Sequence, residues 1–130
     1  MTCDTAQRVC IRPANIDVCL VRATTNVLEV VLTDAAGVSV DITNDTVKFT
    51  VRDGPGGTVE IAKSNGPGEH LDPTEGRTEF TIEKTEIDDE VARTTETYWF
   101  FEVRRITPAG VENVHIQGRL VITPDVGAGP

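Results

Sequence analysis

The residues with chemistry beyond packing are three cysteines near the start of the chain and two histidines. Cys3, Cys10 and Cys19 fall within the first nineteen residues, and His70 and His115 are the only imidazoles. Thiolates and imidazoles together suit zinc, but a structural zinc site starts from cysteines about two to four residues apart. Here six and eight residues intervene, so such a site would have to borrow His70 or His115 as a fourth ligand. A Cys3–Cys10 disulfide is a second option. An odd number of cysteines gathered at one end is a poor match to the stapled framework of a secreted domain. Reduced, partly buried thiols acting as small apolar side chains are the expected state.

Catalytic patterns are missing. There is no G-x-S-x-G elbow, no H-E-x-x-H helix and no phosphate-binding loop. His115 sits in Val114-His-Ile116, where strand alternation sets it opposite its apolar neighbours, as a solvent-facing or interface side chain. Two acidic groups, Asp41 with Asn44 and Asp45, and Asp88-Asp89-Glu90, lack the spaced oxygens and fixed glycine of a calcium loop. They read as solvated surface. With 21 acids in the chain, some carboxylate pair is always at hand, so a glycosidase-like pair discriminates nothing. The expectation is a non-enzyme without metal or cofactor.

The strongest surface signal is the run Tyr98-Trp-Phe-Phe101. On a strand, Trp99, Phe101 and Val103 point into the core and leave Tyr98 and Phe100 outside. Outward aromatics mark a protein contact or a sugar platform. The alternative is that a covering loop buries both faces of the strand.

Period-two alternation, punctuated by Gly, Pro and Asp, supplies the frame for these residues. Strands are expected over residues 16–21, 27–32, 38–42, 46–52, 58–63, 77–83, 97–105 and 111–122, the last broken at Gly118. Leu28, Val30 and Leu32 face inward on the second; Val47, Phe49 and Val51 do so on the fourth, and Phe80 and Ile82 on the sixth. Asp34-Ala-Ala-Gly37 reads as a turn with Gly37 at positive φ. The polar stretch 84–93 allows a single helical turn. The fold class is all-β, an antiparallel immunoglobulin-like β-sandwich of about seven to nine strands. Residues 1–15 are expected to form an extended N-terminal arm, 16–126 the sandwich and 127–130 a short tail.

At 130 residues the chain fits one domain, and folding would hide roughly two-thirds of the unfolded surface. Its net charge is −9, from 21 acids against 12 bases. Neutralising phosphates takes clustered Lys and Arg, so nucleic acid is an unfavourable partner, as is an anionic membrane surface. No apolar run reaches the length of a span, and nothing after Met1 resembles a signal peptide. The expectation is a soluble protein made in the cytoplasm.

The strand at 27–32, the segment Thr33-Asp-Ala-Ala-Gly-Val-Ser-Val-Asp-Ile-Thr43 and the strand Asp45-Thr-Val-Lys-Phe-Thr-Val51 resemble the opening of a known family. It is the N-terminal immunoglobulin-like domain of phage baseplate upper proteins. Gly118-Arg-Leu-Val-Ile-Thr-Pro-Asp-Val126 is similar to that family's closing strand. The resemblance covers residues 27–126; the cysteine-bearing arm lies outside it, and no long receptor-protein-bearing extension follows. It implies a structural component of a tailed bacteriophage virion, made in the host bacterial cytoplasm. Such a component would dock on other virion proteins in the tail or baseplate, as a homo-oligomer in the assembled particle. It implies no catalytic residues. A capsid decoration protein and a carbohydrate-binding module that recognises a host surface glycan are the alternatives. The candidate interface residues are Cys3, Cys10, Arg12, Tyr98, Phe100 and His115.

Overall fold

The computed structural model of the chain describes residues 8–11, 17–21, 25–87 and 95–124, with backbone alone at 8–11, 17, 21 and 84. Among these residues there are eight strands: β1 (Arg8–Ile11), β2 (Asp17–Val21), β3 (Asn26–Val31), β4 (Thr46–Arg52), β5 (Val59–Asn65), β6 (Arg77–Ile82), β7 (Thr97–Ile106) and β8 (Glu112–Thr123). Two single 3-10 turns, Pro73–Glu75 and Lys84–Glu86, are the helical elements among them. The strands form a three-stranded sheet in the order β1-β3-β6 and a five-stranded sheet in the order β2-β8-β7-β4-β5.

Alternation explains why two sheets form and why they stack. On β3 the residues alternate buried and half-buried, and on β4 Val47, Phe49 and Val51 are fully buried between outward polar neighbours. Each sheet therefore has one apolar face, and the two faces close on each other. The core they share includes Leu28, Val30, Phe80 and Ile82 from one sheet and Val18, Phe49, Trp99, Phe101 and Leu120 from the other. Phe49 sits at its centre, with ring centroids 5.8 Å from both Phe80 and Phe101. The fold is the expected β-sandwich.

Four details differ from the sequence reading. Residues 8–11, placed by sequence in an arm, pair with β3 as a strand, and this pairing is parallel. β2 also joins its sheet in parallel, alongside β8. The antiparallel pattern therefore holds from β3 to β8 but not for the first two strands.

The expected strand at 38–42 is not one. It makes a lone bridge, Thr33 to Ser39, and then its amides go to different places: Val40 N–H to the Leu32 carbonyl and Ile42 N–H to that of Pro73. Divided partners leave no ladder. The Asp34–Gly37 turn before it is as expected, with Gly37 at φ 80° and Asp34 Oδ1 accepting from the amides of Ala36 and Val38.

Finally, β8 pairs straight through Gly118, opposite Phe101; the irregularity lies three residues earlier. Val103 faces Ile116 and Arg104 faces Val114, which leaves His115 as one extra residue, a β-bulge. The expected domain limits at 1–15 and 127–130 fall largely outside the described residues.

Candidate functional site on the outer face of the five-stranded sheet

β7 turns Trp99, Phe101 and Val103 inward and Tyr98 and Phe100 outward, as its alternation requires. Tyr98 is 48% exposed and Phe100 38%, whereas Trp99 is only 6% exposed. Trp99 is therefore a core residue and no part of a surface platform. The register sets Arg52 of β4 and Arg119 of β8 on either side of Phe100. At the Arg52 end, the β4–β5 register shifts, with Glu60 as the extra residue.

The loop after β4 folds back beside this row. Its Gly54, Pro55 and Gly56 form one wall of an open groove of about 580 Å³, with Thr50, Phe100 and Gln117 among its lining residues. The loop is held by Asp53 Oδ1, which accepts from the Thr58 amide at 2.9 Å, and by the Gly57 amide, which donates to the Gly54 carbonyl at 2.8 Å. Arg52 Nη1 donates to the Gly57 carbonyl at 3.0 Å, which fixes the guanidinium against the loop.

Charges on this face are arranged in a definite way. Arg119 lies over the Tyr98 ring, 5.1 Å from its centroid, a cation–π contact. The Tyr98 hydroxyl donates to Glu96 at 2.7 Å, and that hydrogen bond, then the carboxylate's charge, holds the phenol above its ordinary pKa. Glu102 accepts from Arg104 at 3.2 Å. One face of Tyr98 is thus already occupied by Arg119, and Phe100 is the more available ring.

The other sequence candidates lie elsewhere. His115 is half-buried in its bulge; burial, then the nearby charge of Arg105, depresses its pKa below the ordinary histidine value. It does not stand opposite apolar neighbours as alternation suggested, because the bulge breaks the alternation between Val114 and Ile116. His70 is bound in place by Thr78 and the Asp45 carbonyl. Cys3, Arg12 and the side chain of Cys10 lie outside the described residues. Cys19 is disulfide-bonded, which corrects the expectation of reduced thiols. Sequence spacing carries no information about which segments the folded sheets bring together. Among the described residues, no group of three or more His, Cys, Asp and Glu side chains comes together to hold a metal ion. No helix among them is long and apolar enough to cross a membrane.

The sequence reading named Tyr98 and Phe100 but missed Arg52, Arg119 and the glycine-rich wall. Each of these belongs to a different strand or loop, and only the cross-strand register brings them together.

The fold and this face define an immunoglobulin-like β-sandwich with an open groove beside the exposed Phe100 ring on the outside of its larger sheet. Among solved structures of the same fold is the N-terminal domain of phage TP901-1 ORF48, with a TM-score of 0.53 and 8% sequence identity. The match covers 92% of this chain and 99% of that one. The phage-domain resemblance carried by residues 27–126 thus has a counterpart in three dimensions. No family model matches the chain, and no curated protein matches its sequence.

Proposed function

We propose that the chain is a non-enzymatic structural component of a tailed bacteriophage virion, a rigid sandwich that docks on other virion proteins in the tail or baseplate. The observation that carries this reading is the fold shared with a phage protein domain over nearly the whole of both chains. The sequence resemblance to baseplate upper proteins supports it from an independent direction. In this reading the chain acts in several symmetric copies, as virion components do. Its net charge of −9 keeps free copies apart until specific contacts join them.

The test is quantitative mass spectrometry of gradient-purified particles from the source culture, with this chain counted against the major capsid protein. A small symmetric complement is the expected result. Copies approaching the capsid protein's number would make it a head-decoration protein instead, and absence from the particles would overturn the virion reading. The exposed Phe100 ring also favours a second reading, a sugar-binding face. Saturable binding of a host polysaccharide, lost in Phe100→Ser, would select that one.

A further inference from the structure

We propose that Asn65 is a site of self-modification. Its side-chain amide is lost through a cyclic imide formed with the backbone nitrogen of Gly66, and the folded protein holds this reaction in check.

The sequence puts the reactants side by side. Asn65 is followed by Gly66, and a glycine offers its backbone nitrogen to the asparagine side chain without a Cβ in the way. Asn65 closes β5, and the chain then turns through Gly66-Pro-Gly-Glu69, where the Glu69 amide donates to the Gly66 carbonyl at 3.0 Å. The Glu69 side chain folds back into the same turn, and its Oε1 accepts from the Gly66 N–H at 2.7 Å. That is the proton the nitrogen must lose in order to attack. A carboxylate within hydrogen-bond reach is placed to take it.

The electrophile, by contrast, is restrained. Asn65 Nδ2 donates to the Thr78 hydroxyl and to the Glu79 carbonyl, each at 2.8 Å. Both bonds direct the amide to β6, in the opposite sheet. Asn65 is also paired with Val47 as a strand residue, so its side chain stands off the sheet rather than lying along the chain. Ring closure therefore waits on local opening at this end of β5.

The chemistry balances with water as the one co-reactant. The Gly66 nitrogen bonds to the side-chain carbonyl carbon of Asn65, and Nδ2 leaves as ammonia with the proton passed on by Glu69. Water then opens either carbonyl of the ring. The products are an aspartate at position 65 or its isomer, in which the main chain runs through the side-chain carbon. A carboxylate has no proton to give, so it faces the Glu79 carbonyl as one acceptor against another. The bond between the sheets is lost in one direction only, and a chain that has opened here stays marked.

The experiment follows the full chain in neutral buffer, folded and in guanidinium chloride, by mass spectrometry of tryptic peptide 64–77. Asn65 carries the only side-chain amide in that peptide, so an amide-to-acid exchange has one source, and isoaspartate labelling identifies the imide route. The unfolded chain should react at least about tenfold faster than the folded one. Folded Thr78→Val should react several-fold faster than wild type, and adding Glu69→Gln should slow it again. Gly66→Ala should slow the reaction in both states. Outside its chain neighbours an added Cβ there meets Glu69 Oε1 at 3.4 Å and nothing nearer, so that variant keeps the fold. Equal rates in the folded and unfolded wild type, a Thr78→Val rate no higher than wild type, or no isoaspartate would each overturn the proposal. No slowing by Glu69→Gln would overturn the part given to Glu69. Should Thr78→Val fail to fold, the folded and unfolded wild-type rates still decide.

Discussion

Asn65, the last residue of β5, reaches from one sheet to the other and donates through Nδ2 to the Thr78 hydroxyl of β6 at 2.8 Å. The same nitrogen donates to the Glu79 carbonyl, also at 2.8 Å. Thr78 is fully buried at an inward position of β6, level with Val30, where an unpaired hydroxyl would be costly. His70 completes its bonding: Nδ1 lies 3.0 Å from the Thr78 hydroxyl and Nε2 2.8 Å from the Asp45 carbonyl. A carbonyl can only accept, so Nε2 carries the ring proton. In that tautomer Nδ1 accepts from Thr78, whose oxygen accepts from Asn65. Asp45 is itself buried and takes a hydrogen bond from Arg105 Nε at 2.5 Å. A polar clasp therefore ties both sheets at one end of the core.

Thr78→Val keeps the shape and removes the hydroxyl, leaving His70 Nδ1 without its donor. The expected loss is about 1–3 kcal/mol, measured by urea unfolding. Asn65→Ala should cost a similar amount. Because the two residues share a bond, the double mutant should fall short of the sum by about 0.5 kcal/mol or more. Simple additivity would mean that the clasp does not act as a unit.

Gly76 ends the Pro73–Glu75 turn at φ 70°, and a Cβ there would lie 2.5 Å from the Leu32 carbonyl oxygen and 2.8 Å from that of Val40. Gly37 has a similar φ of 80° but nothing within 4 Å of the added carbon. Gly37→Ala should therefore cost only the left-handed backbone penalty, about 1–2 kcal/mol. Gly76→Ala should cost clearly more, since two backbone oxygens must also move. Equal unfolding midpoints for the two variants would show that the 73–76 segment shifts freely away from β3.

Much of this fold is legible in the sequence, because burial on a strand follows a period of two. The inward rows of β3, β4, β6 and β7 are those the alternation picks out, and the same rule puts Thr78 inside. Its partners cannot be read that way: His70 comes from an irregular loop and Asn65 from the far sheet. The bulge at His115 hides for the same reason, since nothing in Val114-His-Ile116 marks which residue goes unpaired. The parallel placement of β1 and β2 depends on long-range docking rather than on local pattern. The groove was half legible: two aromatics on one strand were visible, and the arginines that frame them were not.

Adjacent residues on β7 give the sharpest check on the sandwich. Phe101 is buried against Phe49, while Phe100 stands on the outer face. Phe101→Ala should cost about 3–5 kcal/mol through lost burial and the cavity it leaves. Phe100→Ser should change stability by less than about 1 kcal/mol. Comparable losses from both would mean that the outer face of β7 is covered rather than open.

The bulge at His115 ties stability to pH. Burial and the Arg105 charge both disfavour the imidazolium, so the folded-state pKa lies below the ordinary value of 6.5. The unfolded chain therefore binds the proton more readily than the native one, and stability rises with pH across that interval. The contribution is fully present above 6.5, is lost as pH falls below it, and reaches its floor once pH is under the folded pKa. Urea midpoints measured between about pH 5 and pH 7.5 should fall on the acid side. His115→Gln should flatten that part of the profile and leave other carboxylate-driven losses, which lie at lower pH, in place. A wild-type profile that His115→Gln leaves unchanged would show that the ring is as well solvated in the folded protein as in the unfolded chain.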